Sequence, residues 1–204
     1  LPTGLGIGIT GGPGISLNAL IGLTANKNGV ILPLSSWGAG TKRLSALEIA
    51  DILRNDCPIM AVDEIERGLE PYRLRTLLNI LEDSNAQVII TTHSATAISA
   101  TVNSHLWYLD ANGNLGILPK KEIAIHQKSN PETFLAKMPV VCEGATEVGF
   151  IDFFLNKIIT ENKLDLGVWV TDGGGHEKVL SLIEVLAQGG LSFACLVDNE
   201  NLYS

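Results

Sequence analysis

The sequence predicts an α/β fold in which parallel strands alternate with helices. Short, wholly apolar runs of strand length alternate with segments in which apolar residues recur every three or four positions, as in amphipathic helices. Strand–helix–strand order of this kind is typical of parallel sheets joined by right-handed crossovers. Hydrophobic residues occupy 46% of the 204 positions and aromatic residues only 5%, so we expect an aliphatic core and exclude wholesale disorder.

In the first half, a glycine-rich opening precedes the regular pattern. Residues 1–29 are rich in Gly and Thr, and no lysine follows Gly14 as a phosphate loop requires. A glycine-rich loop or irregular strands are therefore expected there. Strands are then predicted at 30–34, 59–62 and 88–90, helices at 44–53 and 74–81, and a hairpin around Asn112 and Gly113.

In the second half, the polar stretch 119–137 contains two prolines and is predicted to be a linker. The alternation of strands and helices restarts after it. Strands are predicted at 139–142, 167–170 and 193–197, and helices at 148–158 and 179–186. The order strand, helix, strand, helix, strand predicts one parallel sheet.

Composition limits the class of protein. The formal net charge of −8 argues against a basic nucleic-acid coat and against binding to anionic membranes, although a DNA enzyme could bridge phosphates through bound cations. No apolar run reaches about 18 residues and no signal segment opens the chain, which predicts a cytoplasmic protein with no membrane partner. Cys57, Cys142 and Cys195 form no close pair, so neither a disulfide framework nor a zinc site is expected.

Polar residues follow several of the predicted strands, where ligands of open parallel sheets bind. Asp63 and Glu64 come directly after the run 59–62, and His93 follows the next strand. A carboxylate at such a place can hold Mg²⁺ while its neighbour orients an attacking water. Taken singly, an acidic pair after a strand is often a turn or a helix cap, and a lone histidine is usually a polar residue with no catalytic role.

Three segments occur together in an order that changes this interpretation. The run AVDEIERGLEP at 61–71 resembles the Walker B motif and D-loop of ABC-type ATPases, SSWGAGTKRL at 35–44 resembles their signature segment, and IITTHS at 89–94 resembles their switch histidine. The resemblance implies that Asp63 assists Mg²⁺, Glu64 polarises the attacking water and His93 contacts the γ-phosphate of ATP.

The same resemblance implies that Ser36 and Gly38 contact the nucleotide of a partner subunit, and therefore a homodimer or higher homo-oligomer formed through the ATPase module. No Walker A motif is present. Because the chain also opens without Met, we expect a piece of a longer protein. Either the Walker A motif lies upstream of Leu1, or this chain cannot hydrolyse ATP alone.

The second half presents further carboxylates at strand ends. Glu147 lies four residues after Glu143, so one helical turn can bring both to one side. Asp198 and Glu200 are two apart, which places both on one side of an extended chain. Converging carboxylates bind hard divalent cations such as Mg²⁺ or Mn²⁺, and two such cations can cleave a phosphodiester.

This arrangement resembles a Toprim domain, in which a Glu-Gly strand end is followed by Asp-x-Asp, here Asp198-Asn199-Glu200. An ABC-type ATPase followed by Toprim resembles the OLD (overcoming lysogenization defect) family, which includes Gabija-type antiphage nucleases. The resemblance implies that Glu143, Glu147, Asp198 and Glu200 are metal ligands and that Asp172 begins a glycine-rich turn. The implied organisation is the C-terminal lobe of an ABC-type ATPase at 1–118, a linker at 119–137 and an incomplete Toprim-like parallel α/β domain at 138–204.

The leading functional hypothesis is a metal-dependent DNA endonuclease regulated by ATP, acting in antiphage defence or DNA processing, with DNA, ATP and a possible accessory protein as partners. The alternative is an ATPase scaffold whose inactive Toprim domain binds nucleic acid or a partner protein. A topoisomerase is less favoured because no tyrosine has a recognisable context. A chromosome-maintenance ATPase is less favoured because the sequence contains no heptad run.

Overall fold

The computed structural model describes residues 4–10, 21–53, 59–109 and 113–198. The chain divides into two compact units, residues 1–92 and 93–204. Each unit combines strands and helices, as the sequence predicts. Among the described residues, none of the helices is both long enough and apolar enough to cross a bilayer.

The first unit opens with an antiparallel sheet. Its strands are β1 (Gly4–Ile9), β2 (Ile21–Lys27) and β3 (Val30–Pro33), paired in that order. Asn28 and Gly29 both have positive φ (54° and 82°), as a two-residue hairpin turn between β2 and β3 requires. The glycine-rich opening therefore contains strands in regular register, and the Asn28-Gly29 pair is a hairpin signal that was missed in the sequence.

A parallel pair of strands carries the acidic segment of the first unit. After a 3₁₀ turn at Leu34–Ser36 the chain forms helix α1 (Ala39–Leu53), then β4 (Ile59–Val62), α2 (Pro71–Glu82) and β5 (Gln87–Ile90). Strands β4 and β5 are parallel. Leu74, Leu77 and Leu78 of α2 are buried, which confirms the helix predicted from their spacing.

The second unit begins with α3 (Ala95–Ala100) and an antiparallel hairpin of β6 (Trp107–Leu109) and β7 (Leu115–Ile117). This confirms the predicted hairpin, although Asn112 lies outside the described residues. Residues 93–118, assigned above to the ATPase part, thus lie in the second compact unit.

The prediction that residues 119–137 form a linker was wrong. They form helix α4 (Lys120–Ser129) and a 3₁₀ turn at Pro131–Phe134. Ile123, His126 and Gln127 of α4 are buried, and the Gln127 amide donates to the Ile98 carbonyl at 3.4 Å. The two prolines precede or open these helical segments, where a missing N–H costs nothing, so they start structure rather than interrupt it.

The remainder of the second unit is the predicted parallel sheet. Its elements are β8 (Met138–Cys142), α5 (Ala145–Ile158), β9 (Val168–Asp172), α6 (His176–Gln188) and β10 (Ala194–Leu196). The strand order is β10-β8-β9, with both pairs parallel. Val141 packs with Val179, Leu182 and Leu186 of α6 in an aliphatic core. The carboxyl ends of all three strands therefore meet at one edge of the sheet, and β8 is central.

Candidate functional site

In the first unit, Thr91 holds Asp63 and Glu64 together at the end of β4. The Thr91 hydroxyl donates to Asp63 Oδ1 and accepts the backbone N–H of Glu64 at 2.9 Å. The Thr91 N–H donates to the Val62 carbonyl at 3.0 Å, which extends the pairing of β4 with β5. Both carboxylates are exposed, so they are open to a ligand from solvent.

The backbone at Glu64 adopts an unusual conformation. Its φ of +45° lies in the left-handed region, which is uncommon for a residue other than glycine. The Arg43 guanidinium of α1 donates to the carbonyls of both Asp63 and Glu64. A strained backbone held by surrounding hydrogen bonds often marks a functional site, and here it occurs at the residue that the resemblance assigns to catalysis.

The segment that resembles an ABC signature begins α1. The Ser36 hydroxyl donates to the Pro33 carbonyl at 2.7 Å, and the Gly38 carbonyl accepts the Lys42 N–H at 3.2 Å. Ser36 and Gly38 are exposed. A Cβ on Gly40 would lie 2.3 Å from the Gly68 carbonyl oxygen, so α1 touches the turn that follows Glu64. The signature-like segment and the acidic segment are thus packed together within the first unit.

His93 is exposed and is the first residue of the second compact unit. Its contact with a γ-phosphate stays a prediction.

In the second unit, Glu143, Asp172 and Asp198 lie at the carboxyl ends of β8, β9 and β10, and we call this the carboxylate edge. Glu143 is central because β8 is the central strand. It follows β8, its Oε2 accepts the Asp198 N–H at 2.9 Å, and its Oε1 lies 3.7 Å from His176 Nδ1. Its side chain is only 17% exposed. His176 Nδ1 is buried and has no hydrogen-bond partner among the residues the structure describes, so an unsatisfied polar atom lies beside this carboxylate.

A glycine turn follows the neighbouring strand β9. The Asp172 carboxylate accepts the Gly174 N–H at 2.8 Å, and the Gly175 N–H donates to the Glu143 carbonyl at 2.9 Å. Gly174 and Gly175 have φ of 76° and 106°, which side-chain-bearing residues rarely adopt. The turn brings the start of α6, including His176, against Glu143.

Glu147 lies in the first turn of α5, and its role as a metal ligand stays a prediction. Its Oε2 accepts the Gly144 N–H at 3.1 Å and so caps the start of α5. Asp198 is exposed beside Glu143, and Glu200 lies outside the described residues. Within the described ranges, no group of three or more His, Cys, Asp or Glu side chains is arranged to hold a metal ion.

The donor chemistry of the edge nevertheless suits a hard cation. Glu143 and Asp198 follow β8 and β10, and Asp172 is the last residue of β9. All three offer carboxylate oxygens, the ligands that Mg²⁺ and Mn²⁺ prefer. Burial raises the pKa of the neighbouring Cys142 thiol to about 11, so Cys142 is a protonated core side chain.

Two residues of the first site were missed in the sequence. Thr91 is the first polar residue after β5 and could have been noticed by its position, whereas nothing in the sequence points to Arg43 as the partner of two carbonyls 20 and 21 residues away. In the second unit, the Asn130 amide donates to the Asp172 carbonyl at 3.0 Å. This contact was not predicted because residues 119–137 were interpreted as a linker.

Comparisons with known proteins support an ATPase-like domain. Residues 12–99 match the family model described as "AAA domain, putative AbiEii toxin, Type IV TA system". No curated protein was found to match the chain. A solved structure from work on ATP-driven dimerization and DNA-stimulated activation of SMC ATPases is similar over 52% of this chain and 74% of its own, with 16% identity and a TM-score of 0.42. At that TM-score the similarity does not bear on function.

Proposed function

We propose that this protein is a metal-dependent DNA endonuclease regulated by ATP, of the OLD type, with its ATPase site in the first unit and a Toprim-like nuclease site in the second. The observation that carries the proposal is the carboxylate edge, where Asp172 ends β9 and Glu143 and Asp198 follow the adjacent parallel strands β8 and β10. A role in antiphage defence or DNA processing rests on the family resemblance alone.

In the nuclease site, Glu143 and Asp198 would hold the divalent cation, with Glu200 as a further ligand. The bound cation supplies a more acidic water and stabilises the leaving oxygen. The Asp198 N–H fixes one Glu143 oxygen, so the carboxylate is already oriented before a cation binds. His176 Nδ1 lies 3.7 Å from Glu143 Oε1 and would help to hold this second carboxylate oxygen in place.

In the ATPase site, Asp63 would assist Mg²⁺ and Glu64 would orient the attacking water. The contacts of Thr91 and Arg43 hold these two residues on a fixed backbone, which is what a catalytic base requires. Ser36 and Gly38 would meet the nucleotide of a second subunit, so ATP turnover would depend on dimer formation.

The nuclease proposal is tested by nicking of supercoiled plasmid in Mg²⁺ or Mn²⁺, with and without ATP. Glu143→Gln retains an oxygen that can accept the Asp198 N–H but removes the negative charge. We expect it to lower the nicking rate by at least about tenfold, because even the loss of a residue that only orients a metal ligand typically costs about 10- to 100-fold. Glu184→Gln makes the same chemical change on α6 and should leave cleavage intact. Equal cleavage by the intact protein and Glu143→Gln would overturn the nuclease assignment.

The ATPase proposal is tested separately by Glu64→Gln, made in a protein that includes the Walker A motif expected upstream. Loss of a positioned general base should lower ATP turnover by about 10²–10⁴-fold while nucleotide binding is retained. Glu82→Gln, at the end of α2, is the matched control and should turn over ATP normally. Normal turnover in Glu64→Gln would remove Glu64 from the proposed chemistry.

One observation favours a second candidate, an ATPase scaffold whose second unit binds without cutting. One oxygen of the Glu147 carboxylate already caps α5, which leaves fewer ligand oxygens for a cation. A scaffold would bind DNA or a protein partner in the presence of Mg²⁺ and leave plasmid uncut under every metal and nucleotide tested.

A further inference from the structure

Helix α5 presents apolar side chains to both of its sides. One side packs against β8 and β9. On the other, Phe150, Phe153, Phe154 and Ile158 are 58%, 64%, 48% and 60% exposed. A helix that is apolar on two sides is typical of a layer covered on both, and nothing in the described part of the chain buries this second side.

The exposed residues form one continuous stripe. Phe150, Phe153, Phe154, Lys157 and Ile158 recur at i, i+3, i+4, i+7 and i+8, the spacing of a single helix face, and we call them the aromatic stripe. The rings of Phe150 and Phe154 are stacked with centroids 6.0 Å apart, and the Lys157 ammonium lies 5.6 Å from the Phe153 ring centre. The stripe is therefore ordered by its own contacts before any partner binds.

We propose that the aromatic stripe is a homodimer interface, on which α5 of a second copy packs antiparallel about a two-fold axis. An axis at the level of residue 152 places Phe150 opposite the partner's Phe154. The same axis places Glu147, the acidic residue of the first turn, opposite the partner's Lys157, the basic residue of the last turn. One symmetry operation thus matches the aromatic pair and the charged pair together, as an isologous contact requires.

The charges also select the antiparallel orientation. A parallel pair would place Lys157 beside the partner's Lys157 and Glu147 beside the partner's Glu147, which is repulsive. The antiparallel pair additionally sets the positive N-terminal end of each helix beside the negative C-terminal end of the other. The contact is distinct from the ATP-dependent dimer proposed for the first unit, because it lies in the second unit and needs no nucleotide.

A single helix pair is small beside the standard interface of about 1,200–2,000 Å². We therefore expect a nucleotide-independent dimer with a dissociation constant on the order of micromolar. Sedimentation of the nucleotide-free protein over a range of concentrations should show it. Phe154→Glu should raise the dissociation constant at least tenfold, while Leu180→Glu, which alters an exposed leucine on α6, should leave it unchanged.

Cysteine cross-linking tests the register without relying on the stability of the charged variant. A mixture of the Phe150→Cys and Phe154→Cys proteins should form a disulfide that joins positions 150 and 154 of different copies, identified by peptide mass. Either protein oxidised alone can join only like positions, 150 to 150 or 154 to 154, and should form far less dimeric disulfide. A protein that stays monomeric, a dimer insensitive to Phe154→Glu, or a mixture that fails to join these positions would each overturn the proposal.

Discussion

His126 is a histidine buried in α4 whose Nδ1 has no hydrogen-bond partner among the residues the structure describes. Burial lowers the pKa of His126 below its ordinary value near 6.5, and the nearby positive charge of Lys178 lowers it further. The folded protein therefore prefers the neutral imidazole, whereas the unfolded chain takes up a proton near pH 6.5.

This difference predicts a loss of stability on acidification. Below about pH 6.5 the unfolded state binds a proton that the folded state does not, so the free energy of unfolding falls with pH until the folded-state pKa is reached. His126→Gln removes this contribution, and its stability should fall less than that of the intact protein between pH 6.5 and 5. Urea unfolding of both proteins at several pH values measures the difference, and two parallel pH profiles would contradict the assignment to His126.

Among the elements, the start of α1 offers a matched pair of glycines. A Cβ on Gly40 would lie 2.3 Å from the Gly68 carbonyl oxygen, while a Cβ on Gly38 would meet nothing within 4 Å. Gly40→Ala must push α1 away from the turn after Glu64, so we expect a loss of about 1–3 kcal/mol in the free energy of unfolding. Gly38→Ala should unfold like the intact protein but lose ATP turnover if Gly38 meets the partner's nucleotide.

Chemical denaturation and an ATPase assay of the two variants separate these effects. A Gly40→Ala protein as stable as the intact one would show that the two segments are not packed as described. A Gly38→Ala protein with full ATP turnover would remove Gly38 from the nucleotide site.

Regular elements were predictable where one residue pattern determines them. The buried leucines of α2 and the apolar runs of β4, β5 and β8 carry the period of their own element. Helix α4 was missed because it buries His126 and Gln127, polar residues whose cost is offset only by contacts with the rest of the unit. Its prolines indicate a break in composition but in fact lie at helix starts.

The sequence located the candidate site residues at strand ends but not the contacts that hold them. Asp63, Glu64 and Glu143 could be located because each directly follows an apolar strand, and strand ends bind ligands. The bridging role of Thr91 and the contact of His176 with Glu143 could not, because they join segments far apart in the chain. Glu147 was given a ligand role by its spacing from Glu143 and by the family resemblance, and its position in the first turn of α5 also lets it cap that helix.

At the scale of the whole molecule, the net charge of −8 determines how the protein can bind DNA, its proposed substrate. DNA is a dense polyanion, so an acidic protein gains little from counterion release and is repelled at long range. Affinity for DNA should therefore come mainly from divalent cations shared between the carboxylate edge and the phosphates. The expected result is weak binding in EDTA and at least tenfold tighter binding when Ca²⁺, which the same oxygens bind, is added.

Fluorescence anisotropy of a labelled DNA duplex measures both conditions. Asp198→Asn removes one charge from the carboxylate edge and should reduce the gain from Ca²⁺, whereas Glu184→Gln, which changes the net charge equally, should preserve it. The comparison separates a local cation site from a general effect of charge, because both variants carry one negative charge less. Tight binding in EDTA that persists at high salt would mean that DNA is held by direct protein contacts, and metal-bridged binding would then be wrong.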